Sequence, residues 1–170
     1  MDLEGFTTRL SHNAQAIRSL VRGVTEEQAR WKPAPDEWSI LEVVNHLYDE
    51  EREDFRARLD LLLHHPDQPW PGIDPRGWVV ERQYNHRDLE ESLNNFLTER
   101  QRSVSWLAGL SSPAWETRRE HPQAGSLSAG DLLASWLAHD FLHIRQLAGL
   151  HWAYVSLLAK PYATDYAGMW

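Results

Sequence analysis

With 170 residues, 42% of them hydrophobic and 25% charged, the chain is long enough for one domain with a sizeable core. No run approaches the roughly 18 apolar residues needed to cross a bilayer, and a net charge of -8 argues against a phosphate-binding, nucleic-acid surface. The only basic cluster is Arg118-Arg119, which is too small to count. There is no cysteine, which removes disulfides, thiolate catalysis and Cys-ligated metal sites; a transition metal would have to be held by carboxylates and by the nine histidines. The start, Met1-Asp2-Leu3-Glu4-Gly5, is acidic where a signal peptide would be basic and then apolar. A cytoplasmic protein is the expectation.

In chain order, Leu3, Phe6, Leu10, Ala14, Ile17, Val21 and Val24 recur at steps of three and four, predicting an amphipathic helix over 3–24. Thr25 to Gln28 reads as a capping box opening a short turn, and Pro33 and Pro35 stop it. The second long helix opens at Ser39, with Glu42 placed to complete a capping box and Trp38 and Val43 placed as a hydrophobic staple. It runs to about Leu63. The mixed-sign run from Asp49 to Asp60, with Asp54 and Arg58 as an i,i+4 pair, reads as a solvated face.

Residues 66–86, rich in proline and glycine and carrying Trp70 and Trp78, read as a long loop with little regular structure. A loop of this length can run back along the whole bundle, letting the third helix lie parallel to the second. That third helix is expected over about 87–109. Arg100 stands in the middle of its apolar stripe and reads as snorkelling to the surface. Residues 113–127, with His121-Pro122 and Gly125, read as a second loop. The fourth helix opens at Ser128 with Asp131 at its third position. Its helical spacing continues to a break at Lys160-Pro161, after which an aromatic tail from Tyr162 to Trp170 could fold over one end.

The chemistry is expected in Ser135 to Gln146. His139 and His143 are four apart, so on a helix both rings share one face and can offer two nitrogens to one ion. A bundle site draws its ligands from facing helices, and the candidate third ligand is His46. Its depth matches that of the pair if the second and fourth helices are antiparallel. On a helical wheel, however, His46 lies on the far flank of its helix's apolar stripe and, taken alone, reads as a surface histidine. Asp49, Glu50 and Asp140 are the nearby carboxylates. Glu50 is the candidate general base; Asp49 and Asp140 are expected as hydrogen-bond partners around the ligands.

The stretch Trp31-Lys32-Pro33-Ala34-Pro35-Asp36-Glu37-Trp38-Ser39-Ile40-Leu41-Glu42-Val43-Val44-Asn45-His46-Leu47 resembles the entry to the second helix in the DinB/YfiT-like superfamily. His139-Asp140-Phe141-Leu142-His143-Ile144-Arg145-Gln146-Leu147 resembles that family's fourth-helix motif, and the similarity covers nearly the whole chain. The resemblance implies an all-α four-helix bundle in up-down-down-up topology. It implies a divalent metal held by His46, His139 and His143, with zinc and nickel both suited to imidazole, and a homodimer. Hydrolases and transferases or isomerases using low-molecular-weight thiols are the activities it implies, on a small-molecule substrate. The alternative is a non-catalytic metal- or small-ligand-binding bundle with a stress role. Trp70, Trp78 and Arg100 are the residues expected to line the cleft.

Overall fold

The structure is a computed structural model that describes residues 1–121 and 125–168. Helix α1 (Leu3–Val21) starts where Asp2 accepts a hydrogen bond from the Gly5 amide and buries Leu10, Ala14, Ile17 and Val21. Thr25 caps the short α2 (Glu26–Arg30). The expected capping box at α3 (Ile40–Asp49) is complete: Ser39 Oγ accepts from the Glu42 amide at 3.1 Å and Glu42 Oε2 from the Ser39 amide at 2.8 Å. The helix continues through a π-helical segment (Glu50–Phe55) into α4 (Arg56–His64). Asp88 caps α6 (Leu89–Ala108), and Ser128 with Asp131 forms a second capping box at α7 (Ala129–Leu158). No helix is long and apolar enough to cross a membrane among the described residues.

Contacts between side chains fix the direction of each helix. Asn45 meets Ser92, Glu51 meets Arg100 and Arg56 meets Ser103, so α3–α4 and α6 run parallel. His46 meets His139, whereas Glu51 meets Trp136, so α7 runs antiparallel to α3. Asn13 meets Asp140 and Leu20 meets His151, so α1 runs parallel to α7. The result is an up-down-down-up four-helix bundle whose crossover, from α4 to α6, permits the parallel pair.

The crossover is more ordered than its composition suggests. Asp74 caps α5 (Pro75–Glu81), which has proline at its first turn, and a 3-10 turn follows at Tyr84–His86. Trp78, Val79 and Tyr84 bury against each other and against α3. The second predicted loop also holds structure: β1 (Arg118–His121) and β2 (Gly125–Ser128) pair antiparallel, with His121 opposite Gly125. Pro122 lies outside the described residues. In the tail, Tyr162 and Tyr166 are exposed rather than folded over the bundle, and Met169 and Trp170 fall outside the described residues.

Two apolar clusters form the core. One gathers Ile17, Val44, Leu47, Phe96 and Leu147, the other Leu10, Leu59, Leu107, Leu133 and Trp136. Between them lies a polar layer that corrects two expectations. Arg100 does not snorkel. It is 2% exposed, and all five of its N–H groups are used, by Glu51 (Nε and Nη2, both 2.8 Å), Asp140 (Nη1 2.8 Å, Nη2 2.7 Å) and the Leu10 carbonyl (3.0 Å). The Asp49–Asp60 run is not a solvated face either, because Asp49, Glu50, Glu51 and Asp54 are all buried. Glu51 also accepts from the Trp136 indole, and Asp49 from Arg52, Arg82 and Tyr84. Burial is tolerated because Asp49, Glu51 and Asp54 meet cations, and two of these, Arg82 and Arg100, arrive from other elements, which the local pattern could not show.

Candidate metal centre

The geometry of the site follows from α7 packing antiparallel on the Val43/Leu47 flank of α3. That flank is buried, so His46 is only 4% exposed rather than at the surface. His139 and His143, one turn apart on α7, face it. His46 Nε2 lies 3.4 Å from His139 Nε2, and His143 Nε2 lies 3.1 Å from His139 Nε2. The three form a group whose nitrogens all lie within 4.8 Å of one another, the one such His, Asp or Glu cluster among the described residues. Nitrogens bound at about 2.0–2.1 Å in a tetrahedron stand about 3.3–3.4 Å apart, which the separations of His46 and His143 from His139 approach.

The electrostatics fit as well. Burial, reinforced by the charges of His143 and His139, pushes the His46 pKa down to about 2; burial, then His143 and Arg100, pushes His139 down to about 3. Burial lowers His143 too, against the opposing pull of Gln146 and Asp140. Each ring is therefore neutral near pH 7, with a lone pair for a Lewis acid. Gln146 Oε1, 2.8 Å from His143 Nδ1, accepts that N–H and leaves Nε2 as the ligand atom. Trp38 walls the site, its ring 4.7 Å from His46 and stacked parallel to His143 at 6.4 Å, and Phe55 covers His139 at 5.1 Å.

A cavity of about 740 Å³ opens at His139 and His143, lined also by Pro33, Glu37, Trp38, Leu142 and Arg145. Several expected residues sit elsewhere. Asp49 and Asp140 direct their oxygens to arginines, Tyr84 and Asn13 rather than to a histidine N–H. Trp78 packs in the crossover beneath Arg82, Arg100 is in the polar layer, and Trp70 lines a different cavity. Sequence reading missed Gln146 and Trp38 as site residues. Both had a signal: Gln146 shares the helix face of His143, three residues on, and Trp38 flanks the Ser39 cap. Glu50, one turn beyond His46, is 5% exposed. Burial first, then the charge of and hydrogen bond to Asp54, raise its pKa to about 8, while burial raises Asp54 as well.

Fold and cluster together define a four-helix bundle with a three-histidine pocket between its second and fourth long helices. The DinB superfamily model matches residues 9–147, and the chain belongs to that family. It is 25% identical over 134 residues (79% of this chain, 77% of the other) to a protein of Oceanobacillus iheyensis named "Putative metal-dependent hydrolase". It also superposes on YfiT from Bacillus subtilis with a TM-score of 0.76 at 19% identity, covering 87% of this chain and 85% of that one. YfiT is described as a "probable metal-dependent hydrolase with an unusual four-helix bundle topology".

Proposed function

We propose that His46, His139 and His143 hold a divalent metal, zinc or nickel, and that the protein is a metal-dependent hydrolase of a small molecule. The observation that carries this is the convergence of three neutral imidazoles, with His139 Nε2 at 3.4 Å from His46 Nε2 and 3.1 Å from His143 Nε2, beside an open cavity. The name of the Oceanobacillus relative supports it. When bound, such a metal supplies a Lewis acid that lowers the pKa of a coordinated water.

The chain's own residues do the rest. Gln146 fixes the His143 tautomer; Trp38 and Phe55 exclude water from one side of the rings. Glu50, with a pKa of about 8, exchanges a proton close to working pH and is the proposed acid–base group. Phe141 and Leu142, 53% and 55% exposed on α7 beside the cavity mouth, support a homodimer as the working form.

Metal analysis of tagless protein tests the site. One metal per chain in wild type, lost in the His139→Ala/His143→Ala double variant, is expected; equal metal in both overturns it. A panel of esters and amides, with thiol-plus-electrophile pairs alongside, tests the activity. Turnover by wild type but not by His46→Ala supports the hydrolase. Turnover confined to the thiol pairs replaces it with a thiol-dependent transferase. Metal without turnover of any kind favours the non-catalytic binder.

A further inference from the structure

The outer face of α7 is nearly free of charge. Beyond Asp131 in its first turn, the helix exposes Ala134, Ala138, Phe141, Leu142 and Val155, and its one exposed Asp, Glu, Lys or Arg is Arg145. Asp140, the other such residue, is buried. A surface arginine on a helix finds its partners three or four positions away. Here those positions are Phe141, Leu142, Ala148 and Gly149, which offer none. Arg145 instead lines the cavity of about 740 Å³ that also holds His139 and His143.

The other Asp, Glu, Lys or Arg on that wall is Glu37, which arrives on the loop before α3 and is also exposed. Among the described residues, neither side chain makes an ion pair or hydrogen bond, with the other or with any third group. Trp38, Leu142, Leu150 and Ala153 make most of the remaining wall apolar, and Gln146 already serves His143. The same pattern continues past Trp38. A cavity of about 640 Å³ shares Glu37, Trp38, His143 and Gln146 with the first and adds Asp36 from the loop and Arg76 from α5, both exposed and likewise unpartnered. The loop thus supplies accessible carboxylates to the cleft, and the helices supply accessible guanidiniums.

These groups specify two ends of a ligand. A guanidinium takes a carboxylate in a charge-assisted pair, and a carboxylate accepts from an ammonium. An anion alone would meet repulsion from Glu37, and a cation alone from Arg145. We infer that the cleft binds a short apolar peptide by its two ends, the ammonium on Glu37 and the carboxylate on Arg145, with its apolar body on Trp38 and Leu142. That this peptide is a substrate rests on the hydrolase proposed above. A free amino acid has no bond for a hydrolase to cut, whereas a peptide has one between its charged ends.

The full chain with nitrogen-15-labelled indoles is titrated with leucylleucine, N-acetyl-leucylleucine and leucylleucine amide. EDTA is present throughout, so that no metal holds either end or promotes cleavage. The Trp38 N–H, assigned by its absence in Trp38→Phe, reports binding. Expected is a saturable shift with leucylleucine, at an affinity about fivefold or more above either blocked peptide. Arg145→Gln should bring leucylleucine down to the affinity of its amide and leave the amide unchanged. Glu37→Gln should bring it down to that of the N-acetyl form and leave that form unchanged. Both side chains are exposed and unpartnered, so neither variant threatens the fold. No saturable shift in wild type, a blocked peptide that binds as tightly as the free one, or a variant that weakens free and blocked peptides alike overturns the inference. Metal analysis decides the three-histidine site separately: peptide binding in a protein that takes up no metal upholds the recognition of both ends and removes the hydrolase.

Discussion

Two buried polar clusters grow from the same stretch of helix and differ in one respect. Around Arg100, the carboxylates of Glu51 and Asp140 take four N–H donors and the Leu10 carbonyl the fifth, so each guanidinium nitrogen has a partner. Along His46, Glu50 and Asp54, only a turn away, each side chain keeps a buried atom with no hydrogen-bond partner. The π-helical segment at Glu50–Phe55 is where the two part. Glu51 turns inward to the bundle's polar layer, while Glu50 and Asp54 keep the face of His46. Satisfied charge inside a bundle holds the fold; unsatisfied polarity lining a cavity is kept for something that arrives from outside.

The largest effect should come from breaking the satisfied cluster. Arg100→Met leaves Glu51 and Asp140 buried without a cation and should cost about 3–5 kcal/mol, read as a fall in the urea midpoint. A loss under about 1 kcal/mol would mean the layer is wetter than it looks.

The histidine cluster should show the opposite behaviour, gaining from an added ion. At a free metal concentration a hundredfold above Kd, binding to the folded state adds ~2.7 kcal/mol, a Tm rise of roughly 5–10 °C for a chain of this size. EDTA should reverse the rise and the double histidine variant should lack it.

In metal-free protein the pH profile sharpens the comparison. His46 and His139 are held down to about 2 and 3 when folded, so below about pH 6.5 the unfolded chain takes up protons the native state refuses, and stability falls with acid. Glu50 is raised to about 8, so the folded state keeps a proton that the unfolded chain releases above about pH 4.5. That contribution is full below pH 4.5 and is lost as pH rises toward 8. Glu50→Gln should remove this alkaline limb, making the variant more stable than wild type at pH 8 by on the order of 2 kcal/mol. Denaturant titrations at pH 5 and 8 check the sign.

The smallest effect concerns the entry to α3. Ser39→Ala removes the capping box and the hydroxyl's bond to Asn85, and should cost about 1 kcal/mol, with metal affinity falling only slightly.

Local signals carried much of the fold into the sequence. The caps at Thr25, Ser39 and Ser128, the long helical stripes and the i,i+4 histidine pair all rest on residues within a few positions of one another. What was illegible depends on distant partners. Asp49 and Glu51 looked solvated because the cations that reach them across the bundle, Arg82 and Arg100, lie on other elements. His46 looked exposed because its own helix's stripe does not say which flank a fourth helix will cover. The paired strands β1 and β2 are too short for an alternation to register, and α5 sits among prolines that read as loop.

Arg100 touches each of the four long helical segments: the Leu10 carbonyl on α1, Glu51 in the π-helical segment after α3, its own backbone on α6 and Asp140 on α7. It therefore acts as a checksum on assembly. Two apolar clusters of similar character would tolerate a helix sliding by one turn or docking in the wrong order. The guanidinium does not, because any such slip strands at least one buried charge. A bundle whose helices run up, down, down and up thus carries its own proofreading, in a single side chain at its centre.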